Sequence, residues 1–216
     1  MQLISVNIGH EQEIEGAQKL GSTGIYKLPV DIPVEVTPYG LAGDRIVDSE
    51  NHGGLDQAVY IYGGTDYAWW AEILGKELSP GTFGENLTIS DLESDQFQIG
   101  DRLQVGAVTL EATAPRIPCR TLAARMGDPA FAKRFRQAER PGLYCRVIET
   151  GWVQAGDPVS LERFTGGTIT LLEMFRDYYE RDLPEATLRR HLAAPIAIRA
   201  RLDTEEQLRK LLEAQG

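Results

Sequence analysis

Asp101-Arg102-Leu103-Gln104-Val105-Gly106-Ala107-Val108-Thr109-Leu110-Glu111-Ala112-Thr113-Ala114 is the stretch whose reading decides the fold. It reads as two β-strands joined at Gly106-Ala107. Working outward, Gln2–Asn7 alternates, with Leu3, Ser5 and Asn7 opposite Gln2, Ile4 and Val6. Ile32–Val36 and Ala58–Ile61 are β-branched or aromatic runs, and Leu87–Ile89, Gly142–Ile148 and Pro158–Arg163 are further strand candidates. Short strands with Gly at their ends predict a mainly β fold, a barrel or closed sandwich, over residues 1–165.

Helical periodicity interrupts this pattern twice. Tyr67, Trp70, Ala71 and Leu74 fall at i, i+3, i+4 and i+7, with Gly75 as the stop, and Phe131, Phe135 and Ala138 repeat the stripe after Asp128-Pro129. The texture changes at Thr168. Leu172, Phe175 and Tyr179 form one stripe, and Leu188 and Leu192 a second, ended by Pro195. Asp203-Thr204-Glu205-Glu206-Gln207 carries two overlapping capping boxes and predicts a third helix start before Leu208. The expected organisation is a β-barrel domain over 1–165 and a three-helix unit over 168–216, linked through Gly166-Gly167.

The 216 residues carry 22 Lys and Arg against 32 Asp and Glu, a net charge of −10. Such a surface argues against binding nucleic-acid backbone, which needs a basic face. No apolar run approaches the roughly 20 residues of a membrane span. The opening Met1-Gln2-Leu3-Ile4-Ser5-Val6-Asn7-Ile8-Gly9-His10 has neither the basic start nor the apolar core of a signal peptide. Two cysteines, Cys119 and Cys145, are too few for a disulfide framework, so free thiols in the cytoplasm are the expectation. An anion bound by this acidic body needs locally placed Arg and backbone N–H donors.

Directly after the deciding stretch come Pro115-Arg116-Ile117-Pro118-Cys119-Arg120-Thr121-Leu122. The prolines hold the incoming chain extended, and Pro118 suits the start of a helix running to Met126. The Cys119 thiol then sits near a helix start between Arg116 and Arg120, a setting that favours thiolate, the form that binds metals and acts as nucleophile. The alternative is a small buried residue in a turn. Cys145, between Leu143 and Val147 on one strand face, reads as core packing.

Three loops add polar atoms. Gly40-Leu41-Ala42-Gly43-Asp44-Arg45 and His52-Gly53-Gly54-Leu55-Asp56-Gln57 pair backbone donors with Arg45, a candidate phosphate clamp. Phe83-Gly84-Glu85-Asn86 makes a polar loop before Leu87, or simply a hairpin connection. His10, His52 and His191 show no zinc-ligand spacing, and no dinucleotide fingerprint or four-cysteine cluster set occurs.

Taken in order, 40–45, 52–54, 83–87, Ile99-Gly100-Asp101, 115–119 and Ala155-Gly156-Asp157 resemble MOSC domains, named for the C-terminal domain of molybdenum cofactor sulfurase. The helical tail resembles the extension of YiiM-type bacterial members. Gln57 stands where the family often has Lys. The resemblance implies a MOSC-type β-barrel that binds the molybdenum cofactor (molybdopterin), with Cys119 as catalytic residue and metal ligand. It places Arg45, His52, Gly53, Gly54, Gln57, Phe83, Gly84, Glu85, Asn86, Arg116 and Cys119 around the cofactor. It further implies reduction of N-hydroxylated small molecules such as hydroxylaminopurines, with electrons from a separate flavin-containing protein. A sulfur carrier using a Cys119 persulfide, or a non-catalytic cofactor carrier, uses the same thiol. For the helical tail three roles stand open: docking the electron donor, forming a homodimer, or covering a barrel face.

Overall fold

The computed structural model describes residues 1–15, 21–47, 53–166 and 169–214. Strands β1 (Leu3–Gly9), β2 (Gln12–Glu13), β3 (Ser22–Thr23), β4 (Lys27–Val30), β5 (Val34–Thr37), β6 (Gly40–Leu41) and β7 (Val59–Gly63) lead into helix α1 (Gly64–Leu74). Then follow β8 (Leu87–Ile89), β9 (Arg102–Val105), β10 (Val108–Pro115), α2 (Arg120–Met126) and α3 (Phe131–Ala138). The chain continues through β11 (Leu143–Glu149), β12 (Gly151–Val153), β13 (Val159–Glu162), α4 (Leu171–Asp177), α5 (Glu185–Ala193) and α6 (Ile198–Glu213).

The deciding stretch forms the β9–β10 hairpin, with Val105 opposite Val108 across Gly106-Ala107. It sits within an eight-stranded sheet of order β13-β9-β10-β11-β7-β8-β1-β4, and β12-β5-β6 form a second, three-stranded sheet. The large sheet is antiparallel except for the β7–β8 pair. The start of β1, next to the end strand β4, approaches β13 at the opposite end. Gln2 bridges Pro158, the Leu3 amide donates to the Asp157 carbonyl at 2.9 Å, and the Val159 amide donates to the Met1 carbonyl at 3.0 Å. The fold is thus the strand-rich, barrel-like architecture the sequence predicts, with helices at its C-terminal end.

Inward residues of the strands, among them Val6, Val36, Ile61, Leu87, Val105, Leu110, Leu143 and Cys145, build one buried core. Ile169, Leu171, Met174, Ala194 and Ile196 belong to that same core, so α4 and the segment before α6 cover a barrel face. Short helices gain most of their stability from such packing rather than from propensity. A second core is aromatic. Tyr62 stacks on Phe83 at 4.5 Å between centroids, Trp70 packs on Phe131 at 5.0 Å, and the Trp70 indole N–H donates to the Tyr62 hydroxyl at 2.8 Å. It fastens α1, α3 and the Phe83 loop to the sheet.

The tail helices differ in detail from the sequence expectation. Their buried positions are Leu171, Met174 and Phe175 on α4, and Leu188 with His191 on α5, rather than the Leu172/Tyr179 and Leu188/Leu192 stripes. The third helix begins at Ile198, so Asp203–Gln207 lies inside it, and the Thr204 hydroxyl donates back to the Ala200 carbonyl at 2.6 Å. The capping box that does form joins Thr170 and Glu173 at the start of α4. Gly166 is described; Gly167 and Thr168 lie outside the described residues.

Candidate cofactor and active site

Strand β10 carries the site. Its register shifts between Ala112 and Ala114, and bulges of this kind re-aim neighbouring groups. At the shift the Thr113 hydroxyl donates to the Tyr144 carbonyl at 3.1 Å, while the Thr113 carbonyl accepts from the Ala197 amide at 3.1 Å. The chain then leaves the sheet through Pro115–Pro118. Cys119 is the N-cap of α2; its carbonyl accepts from the Ala123 amide at 3.2 Å, while its side chain makes no capping hydrogen bond. The half-buried thiol instead lines a cavity of about 930 Å³. The sheet side of this cavity supplies Gln57, Ala114 and Tyr144, and the tail supplies Met174, Asp177, His191, Thr204 and others.

Behind the thiol lies Arg116, 3% exposed. Its Nη1 donates to the Phe83 carbonyl, and its guanidinium lies 4.8 Å from the Tyr60 ring centroid. Burial opposes the charge, but the neighbouring Tyr60, Tyr144 and Cys119 outweigh it and hold the guanidinium above its ordinary pKa. The buried Nε finds no hydrogen-bond partner among the described residues, nor does the Gln57 Oε1 on the cavity wall. Buried polar atoms are ordinarily paired, so the unpartnered Gln57 oxygen on the cavity wall can take a donor from a bound group. Burial and the nearby Cys119 push the Tyr144 phenol up, against the pull of Arg116. Cys145 differs sharply from Cys119: it is fully buried in the barrel core, and desolvation pushes its thiol far above the ordinary range.

The Phe83–Asn86 loop stands behind this site, its side chains engaged with the fold. Phe83 belongs to the aromatic core. Glu85 Oε1 accepts from the Tyr67 hydroxyl and the Gly81 amide, each at 2.6 Å, and from the Thr88 hydroxyl at 2.8 Å. Asn86 accepts from the Tyr60 amide at 3.1 Å and donates to Asp44 Oδ2 at 2.9 Å. Gly84 is left-handed at φ 75°, where a Cβ would come 2.7 Å from Ile25 Cγ1; the turn that aims the Phe83 carbonyl at Arg116 therefore favours glycine.

Arg45 is placed differently. Its amide donates to the Gly9 carbonyl at 2.9 Å, while its exposed side chain lies 3.6 Å from Glu11 Oε2, outside the cavity lining. Gly53 and Gly54, both at φ 81°, lead into the 3-10 turn Leu55–Gln57 that presents Gln57. His52 lies outside the described residues.

Four residues that build the site escaped the sequence reading. Asp44 receives the Gly9 amide at 2.8 Å and pairs with buried Lys27, tying the 40–45 loop to β1 and β4. Asp56 holds the start of α6 through the Ile198 amide. Asp177 and His191 bring an acid and an imidazole to the cavity. The only local signal for His191 is its i+3 spacing from Leu188.

Residues 48–160 match the MOSC domain, and the chain belongs to that family. Within it, the chain is of the YiiM type. It superposes on the crystal structure of YiiM from Geobacillus stearothermophilus with a TM-score of 0.79 and 27% identity, over 96% of this chain and 98% of that one. YflK of Bacillus subtilis is 35% identical over 159 residues, 74% of this chain and 72% of YflK. A protein named Reductase from Gibberella moniliformis is 35% identical over 144 residues, 65% of this chain but 26% of its own length. Among the described residues no helix is long and apolar enough to cross a membrane, and no group of three His, Cys, Asp or Glu side chains could hold a metal by itself. MOSC domains as a family bind the molybdenum cofactor.

Proposed function

We propose that the protein is a molybdenum cofactor-dependent reductase of N-hydroxylated compounds such as hydroxylaminopurines, serving their detoxification, with the Cys119 thiolate as metal ligand. One observation carries this reading: the Cys119 thiol opens on a cavity of about 930 Å³ and is backed by a buried Arg116 whose Nε is unpartnered among the described residues. The name of the Gibberella moniliformis relative supports the reaction class.

The donor set fits a pterin dithiolene carrying a phosphate. A single soft thiolate suits the metal, and guanidinium N–H groups suit phosphate. Arg45, Gly53, Gly54, Gln57 and Arg116 are the chain's candidates for holding the organic part, with His52 and the Phe83–Asn86 loop beside them. When bound, the cofactor supplies a two-electron centre able to take oxygen from nitrogen. The chain's own part is to hold it, to shape the cavity around the substrate, and to manage protons. Reduction of R–NH–OH to R–NH2 and water consumes two electrons and two protons. With no four-cysteine set and no dinucleotide fingerprint, the chain would take its electrons from a separate flavin-containing protein in the cytoplasm.

The test is metal and pterin analysis of protein made in cells that synthesise the cofactor, followed by turnover of a hydroxylaminopurine with a reduced viologen as donor. Near-stoichiometric molybdenum with turnover is the expected result. Labile sulfur on metal-free protein would instead make it a sulfur carrier, and bound cofactor without turnover a cofactor carrier.

A further inference from the structure

We infer that the His191–Asp177 pair is the proton source for the departing oxygen of the substrate, with His191 as a catalytic residue and Asp177 as its positioning residue; this deepens the reductase reading and rests on it. His191 is 5% exposed on α5, and its Nε2 lies 2.8 Å from Asp177 Oδ2 on α4. Both side chains line the cavity that contains Cys119. Burying an imidazole costs free energy that an apolar residue at the same place would not. Beside Leu188, on the buried face of α5, an aliphatic side chain would serve packing better. The carboxylate brought in from a different helix completes an acid–imidazole pair of the kind that orients a ring and stabilises its protonated form.

The other groups facing this cavity are guanidinium, phenol, carboxyl and amine side chains. Arg120 and Arg199 bring guanidinium groups to the lining. Burial holds the Tyr144 phenol above its ordinary value. From α6, Glu206 is pulled down to about 2 by Arg209 and Lys210, and Lys210 is an exposed partner of that same carboxylate at 3.2 Å. Glu180 and Asp203 add carboxyl groups to the lining. Imidazole is the side chain that ordinarily exchanges a proton between pH 5 and 8.

The step balances as follows. The nitrogen–oxygen bond of R–NH–OH breaks as two electrons arrive from the flavin-containing donor, a transfer for which a bound cofactor would supply the two-electron centre. His191 passes one proton to the hydroxyl oxygen, which leaves as water. The nitrogen takes the second proton from solvent, and solvent reprotonates the imidazole.

The experiment compares molybdenum-loaded parent, His191→Gln and Asp177→Asn, with a hydroxylaminopurine as substrate and a reduced viologen as donor. His191→Gln is expected to lose about 100-fold or more in kcat, with little change in KM, and to lose the alkaline limb of the kcat–pH profile. Asp177→Asn is expected to keep that limb but displace it. Molybdenum content and thermal midpoint should stay at parental values, and adding the base to loaded parent should move the ring 15N resonances of His191. Parental kcat and pH profile in His191→Gln would overturn the proton role, as would ring resonances that stay still while the base binds. Loss of molybdenum from both variants would make the pair a structural support and overturn it equally. A loaded parent that leaves the base unreduced would instead overturn the reductase reading itself.

Discussion

The Asp56 carboxylate accepts a hydrogen bond from the Ile198 amide at 2.6 Å, capping α6 from 142 positions earlier in the chain. Ala197, the local N-cap, has no side chain able to do this. The same carboxylate lies 3.0 Å from Arg146 Nε, and Arg146 donates onward to the Pro195 carbonyl at 3.0 Å and the Ile196 carbonyl at 3.2 Å. One ion pair therefore joins the 3-10 turn, β11 and the start of α6, three pieces that frame the cavity.

Asp56→Ala removes the cap and leaves Arg146 without this partner. It should cost about 2 kcal/mol, read as a lower urea midpoint. Amide exchange should quicken at residues 198–202 first, because the Ile198 N–H loses its Asp56 acceptor and the others lie in the turn it nucleates.

Cys119→Ser replaces a soft ligand by a hard, mostly protonated one. The variant should fold normally and lose N-hydroxyl reduction, with an altered molybdenum spectrum and some cofactor retained through phosphate and pterin. Cys145→Ser puts a hydroxyl into the barrel core beside Ala112 and Val59. It should cost about 1–3 kcal/mol if unpaired and keep activity per folded molecule. Full activity in Cys119→Ser would sink the assignment.

Arg116→Ala and Arg45→Ala should each lower the pterin bound per protein, while exposed Lys133→Ala should match the parent. Arg116→Ala should also lower the thermal midpoint, since Phe83 loses the guanidinium on its carbonyl. Exposed Arg45 should not. Pterin content and melting, measured on the same samples, separate anchoring from folding.

Burial raises the Glu85 carboxyl above its ordinary value, against the pull of bonds from Tyr67, Gly81 and Thr88. The folded chain thus binds this proton more tightly than the unfolded chain. The resulting stability is fully present below the ordinary glutamate value and is lost as pH rises through the raised folded value. Glu85→Gln, nearly isosteric, removes the titration. Its unfolding free energy should fall less than the parent's over that window in denaturant titrations at a series of pH values.

The β9–β10 hairpin, the α1 stripe ended by left-handed Gly75, and the helix beginning after Cys119 were all legible in the sequence. Each depends on spacing within about ten residues: alternation for strands, a 3.6 period for helices, glycine where φ turns positive. The same locality made the Cys119 segment readable, because its prolines and arginines are neighbours in the chain. Cys145 was readable too, from its alternation with Leu143 and Val147.

Only the tertiary structure decided what faces Cys119. The start of α6 was misread because its cap comes from Asp56, not from Asp203 or Thr204. Arg45 and Arg116 look alike as loop arginines, yet one reaches toward Glu11 at the surface and the other is buried behind the thiol. His191 and Asp177 lie on different helices, far along the chain from Cys119, and no local period links them. Local backbone preference sets which residues form strands and helices. The composition of a cavity is set by burying the faces of those elements against one another, and that joins residues whose separation in sequence carries no signal.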